Sequence, residues 1–275
     1  MAYQIKILML AFAIAFVISL IVIPILRRRK IGQQERDDGP KSHLKKQGTP
    51  TMGGIIMIIA IIIAVTGTYI FLHLSGNEEI AKKLLPMLLI TIGYGLIGFI
   101  DDFKKLVLKN TEGLKPSYKM LGLLIIAVVY VLFLIYGFKI GTETYIPIWK
   151  MHVNIPEFLY IPFAVIVILA TTNAINLTDG IDGLSSSVSA IIITCLTVIG
   201  ISSQVYEVSI FGSIVIGATL GFLMFNLHPA KVFMGDTGSL MLGGVISGLA
   251  LYLKMPLLLL LIAIIPVLET LSVII

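Results

Sequence analysis

The sequence predicts an all-α protein that crosses a membrane several times, and three observations support this prediction. Of the 275 residues, 57% are hydrophobic and 13% are charged. The mean hydropathy is +1.03, whereas soluble domains are about half apolar and about a quarter charged. Apolar runs of the length that a helix needs to cross a bilayer, about 20 residues, recur along the chain. We therefore interpret residues 1–275 as a single integral membrane domain.

Nine apolar runs are present, with approximate ends, and the fifth and eighth are short. The predicted spans are residues 7–26, 52–72, 84–100, 120–138, 158–172, 185–202, 207–225, 239–253 and 255–275. Residues 139–157, between the fourth and fifth spans, predict a short hairpin or interfacial segment. The last run ends at Ile275 without a polar flank, so we expect the full-length protein to continue.

Lysine and arginine are distributed unevenly between the two sets of alternating loops. One set, residues 27–51, 101–119, 173–184 and 226–238, contains fourteen of the twenty basic residues. The positive-inside rule predicts that these loops are cytoplasmic and that the N-terminus lies outside. The net charge of +5 is thus explained by membrane orientation, and we predict no binding of nucleic acid.

The first cytoplasmic loop contains GPKSHLKKQGTPTMGG, residues 39–54. Its lysines, including Lys46, are suited to binding phosphate, and Gly53 and Gly54 allow close approach of a ligand or of another backbone. The alternative is an ordinary basic loop that only sets membrane orientation.

The second cytoplasmic loop begins with two adjacent carboxylates, Asp101 and Asp102, at the end of the third span. Neighbouring helical positions point about 100° apart, so we expect separate roles: one carboxylate near the reaction and the other organising lysines. Lys105 is placed to pair with either carboxylate, and Lys119 is a second candidate for binding phosphate. The alternative is a charged helix end without chemistry.

The third loop contains NAINLTDGIDG, residues 173–183, in which a polar residue recurs at every third position. These residues are Asn173, Asn176, Asp179 and Asp182. A capped turn between helices would need only one or two of them, whereas four without a basic neighbour favour a site for a cation or a polar ligand.

The fourth loop contains VFMGDTGS, residues 232–239. Asp236 stands where a helix is predicted to begin, so helix capping is the alternative to a role in the site. Phe233 is an apolar ring in a polar loop and is a candidate for stacking on a base.

Together the four loops predict metal-assisted phosphoryl transfer at the cytoplasmic face of the membrane. Hard oxygen ligands favour Mg²⁺ or Mn²⁺, and the single cysteine, Cys195, excludes a cysteine-based metal site. No Walker A pattern is present. The candidate catalytic residues are Asp101, Asp102, Lys105, Lys119 and Asp236.

At these residues the chain resembles the polyprenyl-phosphate N-acetylhexosamine-1-phosphate transferases. The family pattern combines an Asp pair, Asn-x-x-Asn-x-x-Asp-Gly-x-Asp-Gly and Gly-Asp-x-Gly-Ser. It is present in family order at Asp101-Asp102, residues 173–183 and residues 235–239. The first loop, with Lys46 and GTPTMGG, is similar to members that use UDP-MurNAc-pentapeptide. Those members also have a His-rich loop and a tenth span, so the resemblance implies ten spans in the full-length protein.

The resemblance implies that UDP-MurNAc-pentapeptide and undecaprenyl phosphate react to give lipid I and UMP, the first membrane step of peptidoglycan synthesis. It implies a homodimer, and Mg²⁺ bound by Asp236 with Asn176 as a second contact. It also implies that Phe233 stacks on uracil and that Asp101 contacts the lipid phosphate. Matches to the family's nucleoside pocket are Lys46, Gly180, Ile181, Asp182 and Asn226, and matches to its other polar positions are Thr51, Asn173 and Asp179.

Two other functions are alternatives to this transferase, and one isolated acid has two interpretations. A transporter would also place polar groups in spans, but its site is expected near the bilayer midplane rather than at one face. A related GlcNAc-1-phosphate transferase is the alternative enzyme. Glu269, in the last predicted span, is expected to be a buried, hydrogen-bonded structural residue, and Pro266 is expected to kink that helix. The alternative places Glu269 beside a groove for the lipid.

Overall fold

The computed structural model describes residues 2–29, 48–106, 108 and 113–274. Eleven helices are present in this part of the chain, with one two-stranded sheet between the fifth and the sixth. The helices are α1 (Ala2–Arg28), α2 (Gly54–Leu74), α3 (Glu78–Lys82), α4 (Leu85–Leu106), α5 (Pro116–Leu132), α6 (Glu157–Thr178), α7 (Leu184–Ser202), α8 (Tyr206–Asn226), α9 (Gly235–Tyr252), α10 (Leu259–Ile262) and α11 (Ile264–Ile274). A π-helical turn, Phe133–Gly137, extends α5, and a 3₁₀ turn, Pro256–Leu258, precedes α10.

The predicted hairpin between the fourth and fifth spans is confirmed. Strands β1 (Glu143–Ile146) and β2 (Met151–Asn154) pair antiparallel, with Tyr145 opposite His152. The all-α class is therefore correct for the spans and wrong for this short segment outside them.

Seven helices of the described chain are long and apolar enough to cross a membrane, and an eighth span results if α10 and α11 are counted as one bent pair. The prediction of nine spans is not confirmed by this count. The difference is α9, the eighth predicted span, which is a helix of 18 residues but is not among the apolar candidates. All of its residues from Thr237 to Tyr252 are buried. Because α9 is surrounded by other helices, its surface need not be compatible with lipid.

Glycines allow the closest helix contacts in the bundle. Gly217 and Gly221 of α8 are spaced four apart, and a Cβ at either position would overlap the backbone of α1 at Leu8 or Phe12. Such small-residue spacing lets membrane helices approach backbone to backbone. The contacts run parallel along both helices, so the C-terminus of α1 and the C-terminus of α8 lie at the same end of the bundle.

The polar segments extend the predicted spans instead of lying wholly in loops. Asn173 and Asn176 belong to the last turns of α6, and Asp101 and Asp102 to the last turns of α4. Asp236 lies in the first turn of α9. The helices therefore extend beyond the approximate loop limits predicted at 101, 173 and 238.

The last predicted span is broken rather than kinked at its proline. The segments Pro256–Ile262 and Ile264–Val273 meet at 81°, and Pro266 lies after the break, in the first turn of α11. A proline fits a first helical turn, where its missing N–H has no helical partner. Glu269 Oε2 is buried without a hydrogen-bond partner in the described part of the chain. The expected hydrogen bonding of this carboxylate is therefore wrong for that oxygen.

Candidate active site

Asp236 is at the centre of a cluster formed by three helix ends and the start of α5. Its Oδ2 accepts hydrogen bonds from Lys105 Nζ of α4 at 3.0 Å and from Lys119 Nζ of α5 at 2.8 Å. Its Oδ1 accepts one from Asn176 Nδ2 of α6 at 2.9 Å. The structure thus brings together four residues that are distant in sequence and that the motifs predicted.

Asp101 shares both lysines with Asp236. Its Oδ2 lies 2.5 Å from Lys105 Nζ and 3.6 Å from Lys119 Nζ, and its Oδ1 accepts the backbone N–H of Leu114 at 2.7 Å. The side chain is almost completely buried. Two carboxylates and two ammonium groups therefore form one connected network.

Asp102 has different partners from its neighbour, because it faces the backbone at the start of α9. Its Oδ1 accepts the N–H of Asp236 at 3.1 Å. Its Oδ2 accepts the N–H of Thr237 at 2.9 Å and the hydroxyl of Thr237 at 2.6 Å. This carboxylate from α4 satisfies N–H groups that a helix N-terminus leaves without intrahelical partners. The two carboxylates therefore have separate partners: Asp101 contacts the lysines, and Asp102 contacts the start of α9.

Two glycines make this contact between α4 and α9 possible. Gly235 has φ +72°, and a Cβ there would lie 2.6 Å from Asp102 Oδ2. On α4, a Cβ at Gly98 would overlap the carbonyl oxygen of Asp236. Neither a left-handed backbone nor such a close approach tolerates a larger residue. Gly235, the first glycine of the GDTGS motif, is thus required by geometry at the helix start.

The end of α6 contributes Asn176 directly and Asn173 only indirectly. Asn176 Nδ2 donates to Ser239 Oγ at 2.7 Å as well as to Asp236. Asn173 Nδ2 instead donates to the carbonyl of Leu169, one turn back in its own helix, at 2.7 Å. The three-residue spacing therefore does not give all of these side chains the same environment.

Asp179 follows the last residue of α6 and lies close enough to the cluster to interact with its charges. Burial raises the pKa of the Asp179 carboxyl well above its usual range, and the negative charges of Asp236 and Asp102 raise it further. The C-terminal end of a helix dipole acts in the same direction. A cation bound nearby would lower this pKa.

Asp182 and Asn226 hold the fourth loop in place. Asp182 Oδ2 contacts His228 Nδ1 at 3.0 Å and accepts the N–H of Ala230 at 3.2 Å. Buried Asn226 accepts the hydroxyl of Ser186 at 2.8 Å through Oδ1 and donates to the carbonyl of Val232 at 3.0 Å. By contrast, Gly180 and Ile181 are exposed between α6 and α7.

The backbone of Phe233 is fixed by the segment that precedes α2. Phe233 N–H donates to the carbonyl of Pro50, and Phe233 O accepts from Gly53 N–H, both at 2.8 Å. Thr51 is buried in this segment, and its Oγ1 would lie 3.1 Å from a Cβ at Gly235. Lys46 lies outside the described residues. The loop that carries Phe233 is thus paired with the segment that precedes α2, and through Thr51 this segment lies beside the carboxylate cluster.

Four residues at the site were not singled out from the sequence. They are Leu114, Ser186, Thr237 and Ser239. Thr237 and Ser239 stand inside the GDTGS motif and were accessible to prediction. Leu114 acts through its backbone and Ser186 lies within an apolar helix, so neither has a distinctive pattern in the sequence.

The chain is similar in sequence to known proteins over most of its length. The sequence model described as glycosyl transferase family 4 matches residues 84–254. Relatives named phospho-N-acetylmuramoyl-pentapeptide-transferase align over nearly the whole chain. The protein from Halalkalibacterium halodurans is 45% identical over 98% of this chain and 80% of its own length. The proteins from Clostridium botulinum (strain Eklund 17B) and Bacillus subtilis are 46% and 44% identical, over 98% and 97% of this chain and 79% and 80% of their own lengths.

The chain belongs to the phospho-N-acetylmuramoyl-pentapeptide-transferase family. The resemblance that the motifs predicted is confirmed, and with it a multi-pass membrane enzyme of the phospho-sugar transferase class. The GlcNAc-transferring alternative is not favoured.

The charges of the cluster around Asp236 are suited to binding a divalent cation. Four carboxyl groups, Asp101, Asp102, Asp179 and Asp236, lie in or beside this cluster, and they outnumber its two ammonium groups, Lys105 and Lys119. Oxygen donors of this kind are those that Mg²⁺ takes in proteins. No group of three His, Cys, Asp or Glu side chains within the described ranges is arranged to hold a metal ion. Mg²⁺ does not require one, because substrate phosphates commonly supply its other ligands.

Proposed function

We propose that the protein transfers phospho-MurNAc-pentapeptide from UDP-MurNAc-pentapeptide to undecaprenyl phosphate, giving lipid I and UMP. The observation that carries the proposal is the Asp236 cluster, in which two lysines and an asparagine converge on one carboxylate at a bundle end. Relatives named for transfer of this phospho-sugar are 42–46% identical over nearly the whole chain.

The lysines are proposed to bind the phosphates of the two substrates. A phosphoryl donor and a phosphate nucleophile are both anionic, so their approach is repulsive without positive charge. Lys105 and Lys119 supply two such charges within hydrogen-bond distance of one carboxylate oxygen. When substrate binds, these ammonium groups are expected to exchange part of their contact with Asp236 for phosphate oxygens.

Mg²⁺ is the proposed cofactor, held by Asp236 with Asn176 as a second contact. When bound, it would neutralise charge on the donor pyrophosphate and on the leaving UMP. The amide of Asn176 supports this assignment, because its hydrogen bonds to Asp236 and Ser239 hold it beside the carboxylate.

We favour direct attack of the lipid phosphate on the donor over a covalent aspartyl intermediate. A phosphomonoester has a second pKa of about 6, so the lipid phosphate is mostly dianionic near neutral pH. Both oxygens of Asp102 accept hydrogen bonds from the α9 N-terminus, and Asp101 is bonded to Lys105 and Leu114. Such bonds lower the nucleophilicity of both carboxylates. Asp101 is assigned to orienting the lipid phosphate or deprotonating its monoanion.

An isotope-exchange experiment separates the two mechanisms. With purified enzyme, labelled UMP is expected not to enter the UDP-sugar unless polyprenyl phosphate is present. A covalent intermediate would instead permit exchange without the lipid.

Asp102 is proposed to be a positioning residue that acts through the start of α9. Its carboxylate accepts the backbone N–H groups of Asp236 and Thr237, so it fixes the position of Asp236 at the start of α9. The sequence left open which of the two adjacent carboxylates has which role, and this proposal assigns positioning to Asp102.

The nucleoside is proposed to lie between Phe233 and the exposed turn at Gly180 and Ile181. Phe233 would stack on uracil, and its fixed backbone supports that role. Asp182 and Asn226 are assigned to shaping this pocket by holding the loop that precedes Phe233. Contacts of Lys46, Thr51, Asn173 and Asp179 with substrate stay predictions.

The site is proposed to face the cytoplasm, with the N-terminus of α1 on the outer side of a bacterial cell membrane. The three arginines from Arg27 to Arg29 lie at the C-terminal end of α1, at the site end of the bundle, which agrees with the positive-inside rule. Labelling of single introduced cysteines at Gln4 and Lys231 with an impermeant maleimide, in a Cys195→Ser background, tests this orientation. Only the Gln4 position should react in intact cells. The homodimer stays a prediction.

One assay tests the substrate assignment. Purified enzyme with Mg²⁺ and a short polyprenyl phosphate should release UMP from UDP-MurNAc-pentapeptide and not from UDP-GlcNAc. Uptake of the UDP-sugar into proteoliposomes without UMP release would instead favour the transporter.

A further inference from the structure

The tip of the β1–β2 hairpin, residues 147–151, exposes large apolar side chains. Ile148 is 86% exposed, Trp149 70% and Met151 48%. The hairpin joins the end of the α5 segment to the start of α6, so it lies at the bundle end opposite the candidate active site. Nothing in the proposed reaction uses this surface.

The base of the hairpin is tied to the ends of the spans. Tyr145 N–H of β1 donates to the carbonyl of Lys254 at 2.7 Å, just beyond the end of α9. Lys254 Nζ in turn pairs with Glu143 Oε2 at 2.7 Å. A strand advances about 3.3 Å per residue, so Ile148 lies at most about 10 Å beyond Tyr145. The tip is therefore held near the level at which the spans end.

Further exposed rings lie at the same level. Phe158, in the first turn of α6, is 74% exposed, and Tyr136, at the end of the α5 segment, is 60% exposed. Tyr136 and Glu157 are joined by a hydrogen bond of 2.7 Å between the hydroxyl and Oε2. Amphipathic rings concentrate where spans meet the headgroup layer, so the hairpin tip continues a surface that is itself typical of the membrane boundary.

The charges near the tip favour contact with anionic groups. Glu143 is paired with Lys254, and Glu157 is bonded to Tyr136. Lys139 and Lys150, by contrast, have no ion pair within the residues that the structure describes. Lys150 stands directly between Trp149 and Met151, so a cationic group accompanies the exposed apolar side chains.

We propose that the hairpin tip lies in the headgroup layer of the membrane at the end opposite the active site. Ile148, Trp149 and Met151 would lie against the upper acyl chains, and Lys150 against phospholipid phosphates. A tryptophan suits this position because its ring is apolar while its N–H needs a polar partner. Contact of the tip with the bilayer would then hold the connection between α5 and α6 in place.

Trp149 is the only tryptophan of the chain, so its fluorescence reports the tip directly. The full chain would be reconstituted in vesicles of phosphatidylethanolamine and phosphatidylglycerol. We expect blue-shifted emission and quenching by phospholipids brominated near the top of the acyl chain. We also expect acrylamide to quench about twofold less than it quenches N-acetyltryptophanamide, because the ring is removed from water.

Two substitutions with the same change of charge locate the contact. Lys150→Glu should weaken bromolipid quenching and increase acrylamide quenching, more strongly as the phosphatidylglycerol fraction rises. Lys6→Glu, at the start of α1, should change neither. The proposal would be overturned if the parent emitted like a tryptophan in water and acrylamide quenched the parent and Lys150→Glu equally. Quenching that follows the protein-to-lipid ratio but not the bromolipid would also overturn it, since that indicates contact between two copies of the chain. Neither readout depends on transferase activity.

Discussion

At the site end of the bundle two carboxylates share the same two lysines in one network, whereas at the opposite end three glutamates each pair with a different lysine. Asp101 and Asp236 share Lys105 and Lys119. At the other end, Glu143 pairs with Lys254, Glu78 with Lys82 and Glu207 with Lys83. One-to-one pairs are sufficient for structure. A buried network in which the same lysines contact two carboxylates is costly to desolvate, and it indicates a place where those lysines take part in binding.

The largest effect is expected from removing the shared carboxylate. Asp236→Asn should lower the rate of UMP release by about 10²–10³-fold, the loss typical of removing one preorganised electrostatic group. The unfolding temperature in detergent should also fall, because Lys105 and Lys119 would lose the charged acceptor that both ammonium groups contact. Steady-state kinetics and a thermal melt check both outcomes.

Glu207→Gln is the matched control at the opposite end. Glu207 accepts the hydroxyl of Tyr252 at 2.9 Å and is buried, so its loss should lower thermal stability while kcat stays unchanged. If Glu207→Gln abolished turnover and Asp236→Asn did not, the contrast between the two ends would be wrong.

The second-largest effect is expected from removing Asp102, the carboxylate that accepts N–H groups at the start of α9. Asp102→Ala should destabilise the protein by about 1–2 kcal/mol, the loss of a helix cap. It should also lower kcat more than it raises the KM for the UDP-sugar, because Asp236 loses its fixed position. Unfolding and initial-rate measurements test the two parts.

Thr237→Val separates positioning from chemistry at Asp102. This variant removes only the hydroxyl bond to Asp102 Oδ2 and should cost about 1 kcal/mol, with a smaller fall in kcat. If Asp102 were the nucleophile, Thr237→Val would leave kcat near that of the parent while Asp102→Ala abolished it.

A smaller effect is expected at the loop that carries Phe233. Asp182→Ala frees the backbone of Ala230 and should raise the KM for the UDP-sugar about tenfold, the lower end of the value of one charged hydrogen bond. Asn176→Ala should mainly lower kcat, because its partners are Asp236 and Ser239. Loss of nucleotide binding in Asn176→Ala but not in Asp182→Ala, measured by calorimetry, would contradict this division.

The smallest effect is expected for a pair at the opposite end. The hydrogen bond and charge of Lys254 lower the pKa of Glu143 below its ordinary value. A carboxyl with a lowered folded-state pKa contributes stability above its unfolded pKa, and this contribution is lost as pH falls through the folded pKa. Glu143→Gln should therefore be slightly less stable than the parent at neutral pH and equal to it in acid, with unchanged turnover. A change in turnover would show that the opposite end also affects the reaction.

The motifs predicted which residues meet, but not which pairs they form. Asp101, Asn176 and Asp236 were all identified from short patterns, and they lie in one cluster. Asn173 belongs to the same three-residue spacing, yet it bonds to Leu169 within its own helix. Periodicity places a side chain on a helix face, but the distance to another helix depends on packing.

The number of spans shows the same limit. Composition predicted a helix near residues 239–253, and α9 is there. It was predicted as a short span, and every residue from Thr237 to Tyr252 is buried in the structure. Hydropathy measures compatibility with lipid, so it cannot tell a helix that faces lipid from one that other helices surround.

The sequence by itself determined a multi-pass membrane protein, its family and the residue types of the active site, because apolar length and spaced carboxylates, amides and lysines are local properties of a chain. The tertiary structure decided that Asp101 pairs with lysines while its neighbour Asp102 holds the start of α9. Two adjacent carboxylates have the same chemistry. What separates them is the position of α9, which depends on contacts at Gly98 and Gly235 between segments more than 130 residues apart.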